Sequence, residues 1–315
     1  MNNNKIKYFF IVILTIFISF SILGVCSKNI AESRYENGDN DFNNILYLNG
    51  FWKEKENTID VVSLGDSYVT CAFNPLQIWN QTGVTSYACG TNAQKISETY
   101  AILRRVFKKQ NPKIVFMSAS LLFSDCDVMS YLISNIYYSI PLFYYHDQWK
   151  NIIFKSDKED IETPIYKNKG YRYIGKIDSA NLDDYMKKSI ENCDIDSNVI
   201  WFFDRICKLC KNNEAQLILI GYPSFSWNDK YSDKVEILAK EKNIDFYDYN
   251  KTLHIDWEKD TCDKGEHLNF SGALKFSNCI SDLLNNTRYF QSKKDISGYS
   301  NWNNLYYEFA KNHVN

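Results

Sequence analysis

An α/β fold is predicted for this chain: a three-layer, doubly wound, mostly parallel sheet, preceded by one N-terminal transmembrane helix. Three observations point to it. Short runs rich in β-branched and other apolar residues alternate along the chain with amphipathic stretches of helical period, the order that produces a parallel sheet covered by helices. Those short runs are apolar at nearly every position rather than at every second one, as strands buried on both faces require. Successive strand–helix–strand units close right-handed, so helices fall on both faces. Open sheets of this kind place their sites at the carboxyl ends of strands.

The elements follow in order. Lys5 and Lys7 precede an uncharged apolar run from Tyr8 to Cys26, whose 19 residues rise roughly 28 Å as a helix, enough to cross a hydrocarbon core. Positive charge before the run holds that end in the cytoplasm and puts the rest outside. A retained anchor is favoured over a cleaved signal peptide, because the run is long and Gly24-Val25-Cys26 is a poor cleavage site. Leu23-Gly24-Val25-Cys26 resembles a lipoprotein box, but Val before Cys fits it badly. Residues 1–26 are therefore assigned to the anchor or signal segment, 27–50, rich in Asn, Asp and Glu, to a linker, and 51–315 to one domain.

Within that domain the expected strands are Ile59–Leu64, Val84–Cys89, Lys113–Ala119, Gln216–Tyr222 and Ile244–Tyr249. Helices are expected at 92–109, where Ile96, Tyr100, Leu103 and Phe107 recur at spacings of four, three and four, and at 198–213, 229–242 and 271–286. Residues 121–195 interrupt the alternation and read as an aromatic-rich insertion, with Tyr131, Tyr137, Tyr138, Phe143, Tyr144, Tyr145 and Trp149 close together. This insertion is a lid, a substrate-binding wall or ordinary packing against the sheet; His146, inside it, reads as part of that wall or packing rather than as a catalytic base.

With 36 Lys and Arg against 38 Asp and Glu, the chain lacks the basic excess of a nucleic-acid binder. The 45% hydrophobic content excludes a disordered chain. Of nine cysteines, Cys207 and Cys210 form a single CxxC on an expected helix; with no second pair and no nearby His it is a weak metal signal.

Two short segments carry chemistry. Gly65-Asp66-Ser67 ends the first strand, and a serine at a tight strand-to-helix turn offers both an exposed hydroxyl and a free backbone N–H, as a nucleophile beside an oxyanion hole needs. About 200 residues later comes Asp260-Thr-Cys-Asp263-Lys-Gly-Glu266-His267, containing one of only four histidines. A histidine beside a carboxylate serves as base toward a serine if the fold joins them.

Val61 to Ser67 resembles the first block of the SGNH/GDSL hydrolase superfamily, and Asp263-Lys-Gly-Glu-His267-Leu-Asn-Phe-Ser-Gly-Ala its last. Softer similarities, at Ser86–Gln94, Pro112–Val115, Tyr145–Trp149, Lys169–Tyr171, Leu217–Pro223 and Ile296–Trp302, are shared with a membrane-anchored envelope branch related to the DltD and AlgX/AlgJ groups, whose members act with membrane-bound O-acyltransferases. The resemblance implies a flavodoxin-like SGNH fold, Ser67 as nucleophile, His267 as general base, Asp263 as its orienting acid, and the N–H groups of Ser67 and Gly90 as the oxyanion hole. No metal or cofactor is implied.

Two departures stand out. The family spaces acid and histidine as D-x-x-H, whereas Asp263 gives D-x-x-x-H, so Asp260 and Glu266 stay open as the acid. The third strand ends Ser118-Ala119-Ser120, without the family's oxyanion-hole Asn, leaving Ser118, Ser120, Asn92 or Gln94 as substitute donors.

The expected function is an extracytoplasmic serine esterase or O-acyltransferase, acting on acyl esters of cell-envelope polymers, with acetyl or D-alanyl as the acyl group the resemblance implies. The expected partners are a glycan or polyol polymer, a membrane-bound O-acyltransferase and the membrane itself. The alternative is a catalytically degenerate SGNH fold that binds such a polymer or serves as scaffold to the acyltransferase.

Overall fold

The computed structural model describes residues 3–36, 44–126, 129, 131–132, 167–180, 193–287 and 289–313. Helix α1 (Asn3–Glu36) contains a 22-residue segment, Lys5–Cys26, that is long and apolar enough to cross a membrane. Helix α2 (Asn44–Lys53) follows. The linker expected over 27–50 is therefore corrected. Its first part continues α1 to Glu36, and its last part lies in α2, where Leu48 and Phe51, three apart on one helix face, are fully buried. The folded unit thus begins before residue 51; the polar composition of the segment concealed these two anchoring side chains.

The sheet has five parallel strands in the order β2-β1-β3-β4-β5: β1 (Val61–Gly65), β2 (Ser86–Gly90), β3 (Ile114–Ser118), β4 (Gln216–Gly221) and β5 (Asp245–Asp248). All five expected strands are present, each within two residues of its expected start. Every residue of β1, β2 and β3 is buried, which explains why their sequences do not alternate. The edge strand β5 does alternate, with Asp245 and Tyr247 exposed and Phe246 and Asp248 partly covered.

Between β1 and β2 lie α3 (Ser67–Ala72), the helix expected after the strand-to-helix turn, and α4 (Pro75–Thr82), which was not anticipated from the sequence. Asn74 caps α4 by accepting from the N–H groups of Leu76 and Gln77, with Pro75 at the first helical position, where its missing N–H costs nothing. Helix α5 (Ile96–Lys109) starts four residues later than expected, because 91–95 form a turn. Helices α6 (Ser197–Asn212) and α7 (Asp229–Lys242) flank β4; α8 (Tyr249–Thr252) follows β5. A two-stranded antiparallel ribbon, β6 (Thr261–Cys262) and β7 (His267–Leu268), leads into α9 (Phe270–Asn286), and α10 (Ser300–His313) follows.

Two cores sandwich the sheet. On one face Val62, Leu64, Val115, Met117 and Leu219 pack with Ile102 and Leu103 of α5 and Phe202 and Phe203 of α6. On the other, Val61, Ile114, Phe116 and Ile218 pack with Val69 of α3 and Phe276 and Ile280 of α9. Helices on both faces of one parallel sheet make the fold three-layered and doubly wound. The strand order reverses between β1 and β3, the switch point where such sheets open a crevice.

Most of the aromatic insertion lies outside the described residues, including Tyr137, Tyr138, Phe143, Tyr144, Tyr145, His146 and Trp149. Tyr131 packs its ring 5.2 Å from that of Phe202 and 5.5 Å from that of Tyr100. Residues 167–180 run as an extended strap. The Lys169 carbonyl accepts from Ala88 N, Arg172 N donates to the Thr70 carbonyl, and the Ile174 carbonyl accepts from Phe270 N. Gly170 has φ +87°, and a Cβ there would lie 2.1 Å from the Ala88 carbonyl oxygen, so the strap approaches the sheet this closely only with glycine.

Candidate active site

Ser67 is the first residue of α3, directly after β1. Gly65, ending the strand, lies so close to β3 that a Cβ would sit 2.7 Å from that of Ser118. Asp66 caps α3, its Oδ1 accepting from Tyr68 N at 3.1 Å. Strand end, cap and helix together leave Ser67 at a sharp bend on the carboxyl edge of the sheet.

The loop from β6 to β7 supplies the second half. Asp263, Lys264 and Gly265 have φ of 44°, 60° and 87°, three consecutive residues in the left-handed region, two of them not glycine. Such backbone persists only where surrounding contacts hold it. Here the Asp263 carboxylate supplies the contacts: Oδ1 accepts from the backbone N of His267 at 3.0 Å, and Oδ2 lies 2.7 Å from its Nδ1. The left-handed stretch absorbs the extra residue of D-x-x-x-H, so both carboxylate oxygens still reach one histidine. Downstream, Asn269 caps α9 and fastens its side-chain amide to the carbonyls of Lys259 and Thr261, fixing the ribbon that carries His267.

The two halves meet at His267 Nε2, 2.7 Å from Ser67 Oγ. With Nδ1–H donating to Asp263, Nε2 carries the lone pair and accepts from the serine hydroxyl, the polarity a general base requires. His267 is mostly covered, with 18% of its side chain exposed, while Asp263 is 54% exposed.

The other candidates are placed elsewhere. Asp260 is buried and faces away from His267; it accepts from Ser271 Oγ at 2.7 Å and from Asp256 N at 2.8 Å, and pairs with Lys275. Glu266 accepts from the Tyr68 hydroxyl and, at 2.6 Å, from Ser226 Oγ, tying the Ser67 turn to the loop after β4. Neither is the acid on His267. Gln94 is buried, its amide donating to Thr99 Oγ1 at 2.8 Å, and so belongs to the start of α5 rather than to the Ser67 turn. Asn92 is half-buried in the turn after β2. Gly90 lies against the Ser67 turn: a Cβ there would come within 2.9 Å of the Asp66 carbonyl oxygen and of Thr70 Cγ2.

Ser120 Oγ donates to Asp66 Oδ2 at 2.8 Å and lies 2.7 Å from Ser118 Oγ. Asp66 itself was missed by motif reasoning, which treats it as a spacer. Burial pushes its carboxyl up to about 6 despite the hydrogen bonds from Ser120 and Tyr68 that favour its charged form. Tyr68 is likewise driven well above the phenol range, by burial and then by its bond to Glu266. Beside these residues, at the β1/β3 switch point, lies a cavity of about 270 Å³.

Cys207 and Cys210 are both free thiols on α6; burial raises the former to about 11 and the latter further, leaving both protonated and poor metal ligands.

No family model matches this chain, and no curated protein matches it. Among solved structures it is similar to a GDSL-like lipase from Bacteroides thetaiotaomicron, at 12% identity and TM-score 0.38, over 72% of this chain and 88% of that one. It is also similar to a lipase/acylhydrolase from Enterococcus faecalis, at 12% identity and TM-score 0.38, over 73% and 97% of the two chains. At such values the likeness says nothing about substrate.

Proposed function

We propose that this chain is an SGNH/GDSL-type serine ester hydrolase or O-acyltransferase, held at the membrane by α1 with its domain on the outer side. The reading rests on one observation, the unbroken hydrogen-bond line from Asp263 through His267 to Ser67, at 2.7 Å for each side-chain link. Residues 200 apart in sequence converge on it with the tautomer that a base needs.

The chemistry follows from that line. Ser67 Oγ attacks the acyl carbonyl carbon as His267 Nε2 takes the hydroxyl proton, and the imidazolium that forms is stabilised by the Asp263 carboxylate. The carbonyl oxygen becomes an oxyanion, held by the N–H groups of Ser67 and Gly90. As the carbon–oxygen bond to the leaving alkoxide breaks, His267 returns the proton to it, leaving acyl-Ser67. Water or a polymer hydroxyl then attacks the acyl carbon, with His267 again as base, and Ser67 is released. Acyl esters of cell-envelope polymers are the substrates of this reading, and a membrane-bound O-acyltransferase is its partner.

A fluorophosphonate probe tests the assignment. It should label the wild-type chain, and not Ser67→Ala, with His267→Ala slowed by about 10⁴-fold or more. Labelling that persists in Ser67→Ala would show that another nucleophile reacts.

A further inference from the structure

The cavity beside Ser67 differs from a pocket made for an aliphatic chain. Its floor is Asp66 with Ser118 and Ser120, and its wall is Phe123, Trp227 and Tyr231. Eight of the eleven described residues that line it carry a hydroxyl group. These rings pack on one another, Phe123 and Tyr231 at 4.1 Å between centroids and Trp227 and Tyr231 at 5.6 Å, making a continuous aromatic surface in the same cavity as the hydroxyls. Residues on both sides of the nucleophile, Asp66 and Tyr68, border it.

An extended acyl chain would use the aromatic rings of this lining but not its hydroxyls. It would strip water from serine hydroxyls and from a carboxyl already desolvated, and return no hydrogen bonds. A compact polyhydroxylated ring suits both sides: its hydroxyls pair with the serines and Asp66, and its C–H face lies on the aromatic wall. The size agrees, since about 270 Å³ equals roughly nine water volumes, room for one such ring and little more.

We infer that this cavity is the alcohol-side subsite of the proposed reaction, taking a single sugar or polyol unit of the ester or acceptor and leaving the acyl group outside it. This rests on Ser67 acting as the nucleophile. Ser226 and Tyr68, both bordering the cavity, donate to Glu266, the residue before His267, so the subsite and the base loop share one hydrogen-bonded frame.

The test is protection of Ser67 from a small fluorophosphonate. Methyl glucoside at millimolar concentration should slow labelling of the wild-type chain at least fivefold, and octanoate should not. In Tyr231→Leu, which removes one partly exposed ring, and in Ser124→Ala, which removes one lining hydroxyl, protection by methyl glucoside should fall at least fivefold, each rate being referred to the same variant's own unprotected rate. Thermal melting followed by circular dichroism reports that each variant has folded. Protection by octanoate in place of the glucoside, or glucoside protection unchanged in both variants, overturns the subsite while Ser67 labelling still stands. Absence of wild-type labelling overturns the nucleophile assignment instead, and the subsite with it.

Discussion

The Ser67 turn and the Asp263–His267 loop meet at a single 2.7 Å hydrogen bond, but they are held in opposite ways. The turn joins a fully buried strand to a capped helix, with Gly65 and Gly90 allowing backbone to pack against backbone. The loop has three successive left-handed residues, an exposed acid, and only a two-residue ribbon on either side. Ser67 is thus placed by the sheet, while His267 is placed by side-chain hydrogen bonds. Damage to the first half should register mainly as lost stability, and damage to the second mainly as lost rate.

The largest effect to test this contrast is at Asp263. Asp263→Asn should lower kcat/KM for an acyl ester about 100- to 1000-fold, with the melting temperature nearly unchanged; because Asp263 is half exposed, water compensates for part of what a buried acid would contribute. Asp260→Asn, only three residues away, should do the reverse, lowering the melting temperature by several degrees and leaving the kcat of the folded fraction within a few-fold. If the two variants behaved alike, acid and scaffold could not be separated as drawn here.

Gly90→Ala probes the rigid half. The new methyl would meet two backbone carbonyl oxygens and Thr70, and should cost about 1–3 kcal/mol of unfolding free energy, measured by denaturant titration. Asp66→Asn then sharpens the picture through pH. Folding lifts the Asp66 carboxyl from its ordinary 3.8 to about 6, so across that window the folded state binds more protons than the unfolded one. Stability contributed by this group is therefore present at low pH and lost as pH rises through 6. Asn keeps the cap and carries no charge, so Asp66→Asn should be more stable than wild type by about 1–2 kcal/mol at pH 7.5, and by nothing at pH 4. An advantage of equal size at both values would show that the carboxyl's charge is not its source. Smallest of all, Lys264→Gly relieves a left-handed φ of 60° and should stabilise by about 0.5 kcal/mol, with activity within twofold.

Much of this was legible beforehand, for identifiable reasons. Strands buried on both faces, such as Val61–Gly65 and Ile114–Ser118, must be apolar throughout, and that signal survives without any structure. Ser67 and His267 were readable because Gly-Asp-Ser and an acid-flanked histidine are local patterns. The choice among Asp260, Asp263 and Glu266 was not, since it depends on how a left-handed loop turns each carboxylate, and spacing carries no such information. Gln94 read as a candidate donor only because its burial against Thr99 depends on where the turn ends and α5 begins. The Glu266 link to Tyr68 and Ser226 spans three separate loops and has no local signature at all.

One contact bears on the order in which the chain becomes a domain. Lys169, almost fully covered, pairs with Glu54 at 2.6 Å, and its ammonium lies 4.6 Å from the centre of the Trp302 ring. These residues lie just after α2, in the strap and in α10, so ribosomes deliver them early, midway and late. Before Trp302 emerges the pair lacks its cover and stays hydrated. The ion pair therefore reaches its buried form only when all three segments are folded together, so loss of any one of them should loosen the other two.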